Sequence, residues 1–245
     1  MPRKKKGEIF IGTSGWHYTH WKGPFYPEDL SESEMLGFYK DRLSTVEINN
    51  TFYQLPKIKT VKDWKKQVPD DFRFSVKASR YITHVKKLKD PKETLKKLFT
   101  RIKYLENSLG VILFQLPGKF GKNLERLDNF LKNLPGGKKY AFEFRDLQWH
   151  DEEVYDLLEK YKAAFCIYEY GRMQTEDVVT CGHVYIRLHG PKGAYQGKYS
   201  SKSLKSWAKK IIDWRNDGRD VYCYFDNDQK GYAPQNAIDL LEFLK

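Results

Sequence analysis

The chain has 245 residues, of which 40% are hydrophobic and 16% aromatic, and its formal net charge is +12. It contains no run of 18 apolar residues, which excludes a typical membrane-crossing helix. No apolar segment follows the basic residues 1–7, so a secretion signal is not expected. The three cysteines form no CxxC motif, so neither a zinc knuckle nor a redox motif is predicted, and a cytoplasmic location is favoured.

Short apolar runs alternate with longer amphipathic runs along the chain. The strand-like runs are 9–12, 45–48, 72–77, 111–116, 140–145, 164–168, 184–188 and 221–226. The helix-like runs are 33–42, 92–106, 123–133, 152–161, 204–216 and 235–244, with weaker helical patterns at 58–67 and 173–179. Eight strand–helix units predict a parallel sheet closed into a single (β/α)₈ TIM-type barrel over residues 8–245, preceded by a basic disordered tail at 1–7. A doubly wound open sheet is the alternative.

Each predicted strand has one apolar and one polar face. In residues 72–77, for example, Phe72, Phe74 and Val76 alternate with polar neighbours. Because helices cover the outside of such a barrel, the polar faces are predicted to point inward. The ionisable members lie at the C-terminal ends of the strands, where barrel enzymes carry their chemistry, and are Glu47, Lys77, Glu143, Arg145, Arg187, His189 and Asp226. An inert internal salt-bridge network is the alternative interpretation.

Positive charge is concentrated in the first part of the chain. Residues 1–140 carry a net charge of +14, whereas residues 141–245 carry −2. The segment 79–89 interleaves aromatic residues with Arg80, Lys86, Lys87 and Lys89. Aromatic rings beside cations can stack on bases while the cations neutralise phosphates, so these four residues are predicted to contact nucleic acid. A solvated lysine-rich helix face is the alternative.

Short motifs distributed over nearly the whole chain resemble the YecE-like barrel family, which is largely uncharacterised. They are GTSGW (12–16), FYP (25–27), VEIN (46–49), TFY (51–53), FRFSVK (72–77), LFQLP (113–117), FEFR (142–145), RLHG (187–190) and GYA (231–233). The resemblance implies a TIM-type barrel and implies little about activity. Two positions depart from the pattern, Asp226-Asn227 in place of paired asparagines and Tyr168-Glu169 where an aspartate is expected.

The leading functional hypothesis is a nucleic-acid-binding enzyme that processes phosphodiesters, with single strands favoured. Glu47, Lys77, Glu143 and His189 are the predicted catalytic residues, with His189 as general acid or base. Arg145 and Arg187 are predicted to hold phosphate. The other predicted substrate-binding residues are Trp16, Tyr18, Asn49, Tyr53, His84, Gln115 and Asn227. Glu47, Glu143 and Asp226 are the candidate oxygen ligands for a divalent metal ion.

Two other classes of function remain as alternatives. The first is an enzyme for a small anionic ligand, a phosphorylated or carboxylated sugar-like substrate, in which Lys77 forms a Schiff base by analogy of fold. The second is a nucleic-acid-binding module without catalysis, in which the inner charges are structural. Salt-dependent binding of oligonucleotides and a test for turnover separate the three classes.

Overall fold

A closed barrel of eight parallel strands forms the centre of the molecule, as the sequence predicts. The structure is a computed structural model that describes residues 5–171 and 173–245. The barrel strands are β1 (Ile9–Ser14), β2 (Thr45–Ile48), β3 (Arg73–Lys77), β4 (Leu109–Leu116), β5 (Lys139–Phe144), β6 (Ala164–Tyr170), β8 (His183–Leu188) and β9 (Asp220–Phe225). Each strand pairs with its neighbour in chain order, and the β9–β1 and β5–β6 pairings close the ring.

Helices surround the barrel and follow all of its strands except β6. They are α1 (Met35–Lys40), α2 (Ile58–Gln67), α3 (Pro91–Ile102), α4 (Leu124–Lys132), α5 (Glu152–Lys160), α6 (Ser201–Asn216) and α7 (Tyr232–Phe243). The weak helix predicted at 173–179 is wrong. A two-residue strand, β7 (Met173–Gln174), pairs there antiparallel with β6, and an irregular segment follows. Backbone pairing with β6 outweighs the weak helical periodicity of this segment.

Side-chain caps fix where several helices begin. The side chains of Asn123, Asp151 and Ser200 accept hydrogen bonds from backbone N–H groups two or three residues further on, at 2.9–3.2 Å. These residues satisfy donors that the first helical turn leaves unpaired. Because the helices begin at the end of the barrel where the strands finish, the caps also anchor the loops around that opening.

The two faces of every barrel strand point as the alternation predicts. The outward residues, such as Val46, Phe74 and Ile186, pack under the helices in the main hydrophobic core. A second core fills the inside of the barrel and contains Phe10, Val111, Leu113, Ala141, Ala164, Cys166, Tyr168, Tyr185, Tyr222 and Tyr224. Barrel interiors usually hold branched aliphatic side chains, so the four tyrosines are a distinctive feature.

The buried phenol hydroxyls inside the barrel have hydrogen-bond partners. The hydroxyl of Tyr224 lies 2.8 Å from Ser75 Oγ and 2.7 Å from Thr45 Oγ1. At the N-terminal end of the barrel, Lys139 Nζ contacts Asp220 Oδ2 at 2.6 Å and the Tyr222 hydroxyl at 3.1 Å. These polar contacts form the floor of the barrel, so its cavity opens at the C-terminal end, which is called the mouth below.

The predicted tail at 1–7 is described only in part. Residues 1–4 lie outside the described residues, and the backbone N–H of Gly7 donates to the carbonyl of Arg215 at 3.0 Å. Within the part of the chain that the structure describes, no helix is long and apolar enough to cross a membrane.

Candidate functional site

Six side chains at the C-terminal ends of β2, β5, β8 and β9 meet in the mouth. This ionic cluster consists of Glu47, Glu143, Arg145, Arg187, His189 and Asp226. All six lie on the inward strand faces or in their direct continuation. The structure therefore brings together six of the seven ionisable residues that strand alternation assigned to the inside of the barrel. Their catalytic roles stay predictions.

Arg187 is the centre of the ionic cluster. Its guanidinium contacts Glu47 Oε1 at 2.8 Å, Glu143 Oε2 at 2.9 Å and Asp226 Oδ2 at 2.9 Å. The side chain is completely buried, and nearby carboxylates raise its pKa well above the usual value although burial opposes this. Arg187 is thus placed to organise three carboxylates. The sequence predicted that it holds phosphate, but in this arrangement its buried guanidinium is not exposed to a ligand.

Glu143 links Arg187 to the second arginine, Arg145. Arg145 Nε lies 2.5 Å from Glu143 Oε1, in an ion-pair contact without hydrogen-bond alignment. Burial disfavours the charged carboxylate, but Arg145 and Arg187 outweigh burial and hold the pKa of Glu143 well below its usual value. The Arg145 guanidinium also lies 4.8 Å from the ring centres of Tyr168 and Tyr170. Its Nη1 has no hydrogen-bond partner among residues 5–171 and 173–245, so it is available to a ligand.

The hydrogen bonds of His189 define its tautomer. Arg145 Nη2 lies 2.8 Å from Nε2 of the imidazole, and a guanidinium can only donate. Nε2 is therefore the acceptor, and Nδ1 carries the proton that it donates to Asp226 Oδ2 at 3.0 Å. A neutral histidine oriented by a carboxylate is a common proton-transfer unit. Arg187 Nη1 lies 3.3 Å from the same nitrogen, so a ligand that draws Arg145 away would leave Nε2 with this longer contact alone.

Lys77 lies in the mouth outside the ionic cluster. No carboxylate within the described residues lies inside 4 Å of its Nζ, which instead sits 4.4 Å from the ring centre of Phe52. The residue is 9% exposed. Burial and then Arg187 lower the pKa of Lys77, and the carboxylates Asp226, Glu143 and Glu47 oppose them. Lys77 is thus an amine at the C-terminal end of the barrel without an ion-pair partner in the part of the chain that the structure describes.

His84 lies close to Lys77 and is half-buried. Its ring packs edge-on against Phe52, with the ring centres 5.0 Å apart. Burial, followed by the charges of Lys77 and Arg80, lowers the pKa of His84. Phe52 therefore lies between an imidazole and an amine at the edge of the mouth, and the binding role of His84 stays a prediction.

The ionic cluster does not fit the divalent metal ion considered for it. Arg187 occupies the position between Glu47, Glu143 and Asp226 where a cation would have to bind. No group of three His, Cys, Asp or Glu side chains within residues 5–171 and 173–245 is arranged to hold a metal. A metal ion would have to displace the guanidinium from all three carboxylates at a high electrostatic cost.

Three predicted binding residues line a separate cleft beside the mouth. Trp16 packs edge-on against Trp64, with the ring centres 5.3 Å apart, and belongs to the outer core. With Asn49 and Tyr18 it borders a cleft of about 610 Å³ between the β1 and β2 loops and helices α1 and α2. Gly15, at φ +88°, turns the chain after β1 and ends the inward–outward alternation before Trp16. The strand pattern could therefore not place this ring.

The remaining predicted binding residues have different environments. Tyr53 is 76% exposed beside the mouth. Gln115 is half-buried on the inward face of β4, near the C-terminal end of that strand. Asn227 is fully buried, and its amide donates to the carbonyl of Gly197 at 2.8 Å and to Asn236 Oδ1 at 3.0 Å. These bonds anchor residues 190–199 to α7, so Asn227 acts here as part of the scaffold.

The predicted nucleic-acid-binding residues lie on one side of the mouth. Residues 78–90 and 117–123, called the basic rim, hold the six cations Arg80, Lys86, Lys87, Lys89, Lys119 and Lys122 and the single acid Asp90. The two segments meet where Lys87 Nζ lies 5.7 Å from the ring centre of Phe120. Lys86 pairs with Asp90 at 2.8 Å, and Lys122 pairs with Asp151, the N-cap of α5, and with Glu153 in the first turn of that helix. The other four cations have no ion-pair partner within the described residues.

Three residues that sequence reasoning did not select, Ser14, Tyr185 and Tyr195, complete the site. Ser14 Oγ accepts from Arg187 at 3.0 Å and from Asn49 at 2.5 Å and donates to Glu47. The Tyr185 hydroxyl donates to Glu47 at 2.6 Å. Both residues lie on inward strand faces, and that parity was the signal that could have identified them.

Tyr195 covers part of the ionic cluster from a loop. Its backbone N–H donates to the carbonyl of His189 at 2.6 Å, and the two ring centres are 6.0 Å apart. Burial and then Asp226 raise the pKa of Tyr195. No strand pattern extends to this loop, so the sequence carried no signal for its position.

The family model and several similar solved structures carry the same family description. The family model "Protein of unknown function DUF72" matches residues 10–245. The chain is 26% identical to the UPF0759 protein YunF of Bacillus subtilis over 96% of this chain and 94% of that protein. It is 34% identical to the UPF0759 protein YecE of Escherichia coli K12 over 58% of this chain and 50% of that protein. A DUF72 family structure from Thermotoga maritima superposes with a TM-score of 0.88 and 29% identity over 97% of this chain and 99% of that chain.

Proposed function

The chain belongs to the DUF72 family, and we propose that it is an enzyme that binds single-stranded nucleic acid across the barrel mouth and processes phosphate esters there. The observation that carries the proposal is the position of the exposed apolar side chains. Within the described residues, the exposed large hydrophobic side chains are Tyr53, Tyr81, Val85, Leu147, Met173 and Tyr195. All six lie on segments that follow the C-terminal ends of barrel strands.

Such a distribution favours a large ligand that spans the mouth. Single exposed apolar residues are normal on protein surfaces, but here they surround one opening and are absent from the opposite end within the described residues. Tyr53, Tyr81 and Tyr195 offer three exposed rings. Stacking of a base on an aromatic ring contributes about 1–3 kcal/mol and tolerates any sequence.

The basic rim supplies the charge that a polyanion requires. Arg80, Lys87, Lys89 and Lys119 have no ion-pair partner within residues 5–171 and 173–245, so they can contact phosphates without breaking an existing bond. Each phosphate neutralised in this way releases counterions, which makes affinity depend on salt concentration. The rim therefore positions a strand and leaves the chemistry to the mouth.

Inside the mouth, Arg145 and His189 supply a coupled pair of functions. Arg145 Nη1 is available to bind a phosphate oxygen, while its Nη2 contacts His189 Nε2. A phosphate that draws the Arg145 guanidinium away leaves Nε2 only the longer contact with Arg187 Nη1, at 3.3 Å, and so makes this nitrogen a better proton acceptor, with Asp226 orienting the ring through Nδ1. Substrate binding would thus release the His189 base from its contact with Arg145.

A small phosphorylated or carboxylated substrate is the second candidate. It is favoured by the loop 190–199, which places Tyr195 over His189 and encloses part of the ionic cluster. Enclosure of this kind suits a compact ligand and excludes water from the reacting groups.

A binding experiment tests the nucleic-acid proposal. Affinity for a fluorescent single-stranded oligonucleotide is measured from 50 to 200 mM salt, for the parent protein and a variant with Arg80, Lys87 and Lys89 changed to Gln. We expect log affinity to fall linearly with log salt, and the variant slope to be smaller by about 0.7 for each lost phosphate contact. The matched control changes Lys66, Lys103 and Lys138 to Gln at the opposite end of the barrel and should keep the parent slope.

Two results decide between the candidate functions. No measurable oligonucleotide binding at 50 mM salt refutes the nucleic-acid proposal and leaves the small anionic substrate. Equal losses in the rim variant and the control variant also refute it, because they would show that binding is nonspecific attraction to net charge. Turnover of a bound oligonucleotide by the parent protein, absent in Lys77→Met, separates an enzyme from a binding module.

A further inference from the structure

Lys77 is the ionisable residue of the mouth that the surrounding network does not hold. The guanidiniums of Arg145 and Arg187 each contact at least one carboxylate. The Lys77 amine makes no hydrogen bond and no ion pair within the described residues, and it lies against the face of Phe52. A purely structural lysine would be expected to pair with one of the three nearby carboxylates. The absence of such a pair suits a lysine that acts as a nucleophile better than one that neutralises a carboxylate.

The surroundings of Lys77 also favour its neutral form. Burial lowers the pKa of the amine, and the positive charge of Arg187 lowers it further. A neutral amine in a partly apolar pocket is the reactive form toward carbonyl carbon. The carboxylates of Asp226, Glu143 and Glu47 favour a positive charge at the same nitrogen, as forms when the amine becomes an iminium.

We propose that Lys77 forms an imine with an aldehyde whose neighbouring phosphate is bound by Arg145. The inference rests on the proposed function, because it takes the mouth to be the substrate site. An aldehyde beside a phosphate occurs in two sources, the abasic deoxyribose of a nucleic-acid strand and a free phosphorylated aldehyde. Both present the same chemistry to Lys77 and Arg145, and the experiment below separates them.

The covalent step balances as follows. The lone pair of Nζ attacks the carbonyl carbon, the carbonyl oxygen takes up a proton, and a carbinolamine results. The nitrogen loses one proton and the carbinolamine oxygen takes up a second, so that this oxygen leaves as water. In total, one amine, one aldehyde and one proton give one iminium and one water. In this iminium the nitrogen carries one positive charge, which the three carboxylates stabilise.

With an abasic strand the iminium leads to strand cleavage. A base removes the proton from C2′, and its electron pair moves toward the iminium nitrogen to form an enamine. The enamine then expels the 3′ phosphate, which breaks the C3′–O bond, and water hydrolyses the remaining imine to restore the amine. Asp226 Oδ1, which has no hydrogen-bond partner within the described residues, is placed in the mouth to take the C2′ proton.

Borohydride trapping tests the proposal directly. The protein is incubated with sodium borohydride and one of three probes, which are a single-stranded oligonucleotide with one abasic deoxyribose, the same oligonucleotide undamaged, and glyceraldehyde 3-phosphate. Reduction converts an imine into a stable amine that peptide mass spectrometry assigns to a residue. With the abasic strand, we expect at least tenfold more adduct on Lys77 than on any other lysine. With the undamaged strand, we expect no adduct.

Two variants accompany the parent protein. Lys77→Met should lose the adduct at least tenfold, and its melting temperature shows whether it is folded. Lys66→Met removes an exposed lysine near the end of α2, at the opposite end of the barrel, and should keep the Lys77 adduct. If both variants label like the parent, with adducts spread over surface lysines, the proposal is overturned.

The probes distinguish failure of this inference from failure of the proposed function. One outcome is that the undamaged strand binds in a salt-dependent way but neither aldehyde gives a Lys77 adduct at pH 7 or pH 9. This outcome overturns the inference and leaves the nucleic-acid proposal. A Lys77 adduct from glyceraldehyde 3-phosphate alone, without binding of either strand, overturns the nucleic-acid proposal and supports the imine with the free aldehyde as its source.

Discussion

Replacement of Arg187 by methionine should destabilise the protein strongly. The change keeps a linear stem but removes the guanidinium that contacts Glu47, Glu143 and Asp226 at 2.8–2.9 Å. Glu143 retains Arg145 and Asp226 retains His189, whereas Glu47 loses its one cationic partner within residues 5–171 and 173–245. Glu47, a fully buried carboxylate, therefore keeps only its hydrogen bonds from the neutral hydroxyls of Ser14 and Tyr185.

The size of this effect follows from the cost of a stranded buried charge. Breaking a buried ion pair by removing one partner costs about 3–5 kcal/mol. At roughly 2–4 °C per kcal/mol for a chain of this length, the melting temperature should fall by about 6–20 °C. Differential scanning calorimetry or thermal circular dichroism measures the fall.

The pH dependence of the melting temperature of the same variant is a second test of the role of Arg187. Folded-state pKa values of Glu143 and Asp226 lie below their ordinary values because of Arg187 and its neighbours, so their stabilising contribution is present above those ordinary values and lost as pH falls through the folded values. Without Arg187 the buried carboxylates gain protons more easily. The difference in melting temperature between parent and variant should therefore narrow from pH 8 to pH 5.

A matched surface variant controls for the loss of one positive charge. Lys97 pairs with Glu93 at 3.0 Å on the exposed face of α3, with more than half of both side chains in solvent. Lys97→Met should change stability by less than about 0.5 kcal/mol. A loss below 1 kcal/mol in Arg187→Met, or a loss independent of pH, would refute the view that Arg187 holds the carboxylates together.

Three further predictions concern the mouth and the loop above it. Lys77→Met should melt near or above the parent temperature, because the amine it removes has no ion-pair partner. Gly190→Ala should cost about 1–3 kcal/mol and open the loop 190–199 to limited proteolysis, because φ is +116° and an added Cβ would lie 2.5 Å from the carbonyl oxygen of Gln196. Tyr185→Phe should cost about 1–3 kcal/mol in thermal unfolding, because it removes a hydrogen bond to buried Glu47.

Each of these predictions has a result that contradicts it. A loss above about 2 kcal/mol in Lys77→Met would place Lys77 in a structural network. Unchanged proteolysis of Gly190→Ala would show that the loop tolerates a side chain there. Tyr185→Phe at parent stability would mean that Glu47 is satisfied by Ser14 and Arg187 alone.

Strand parity was the part of the sequence that carried the most structural information. Alternation assigned Glu47, Glu143 and Arg187 to the inside of the barrel because successive side chains in a strand must point to opposite faces. It could not show that Arg187 contacts all three carboxylates while Lys77 contacts none. That outcome depends on the relative heights of neighbouring strands, which the stagger of the closed barrel determines.

Loops and short elements were less predictable for a related reason. Trp16 follows a glycine turn after β1, so the alternation of the strand no longer fixes its direction. The segment after β6 forms β7 because its backbone pairs with β6, and pairing between distant residues leaves little trace in local periodicity. Tyr195 reaches His189 through a backbone contact that no side-chain pattern records.

The tyrosine-lined interior has a consequence for how this protein can diverge. In a barrel filled with aliphatic side chains, one position can change size and a neighbour can adjust later at modest cost. Here the Tyr224 hydroxyl is shared by Ser75 and Thr45, and the Tyr222 hydroxyl is bonded to Lys139. Loss of one phenol leaves a buried polar partner unsatisfied, so a lineage that drifts at these positions is expected to change both partners together. Paired substitutions across strands, rather than single ones, should mark the evolutionary history of this interior.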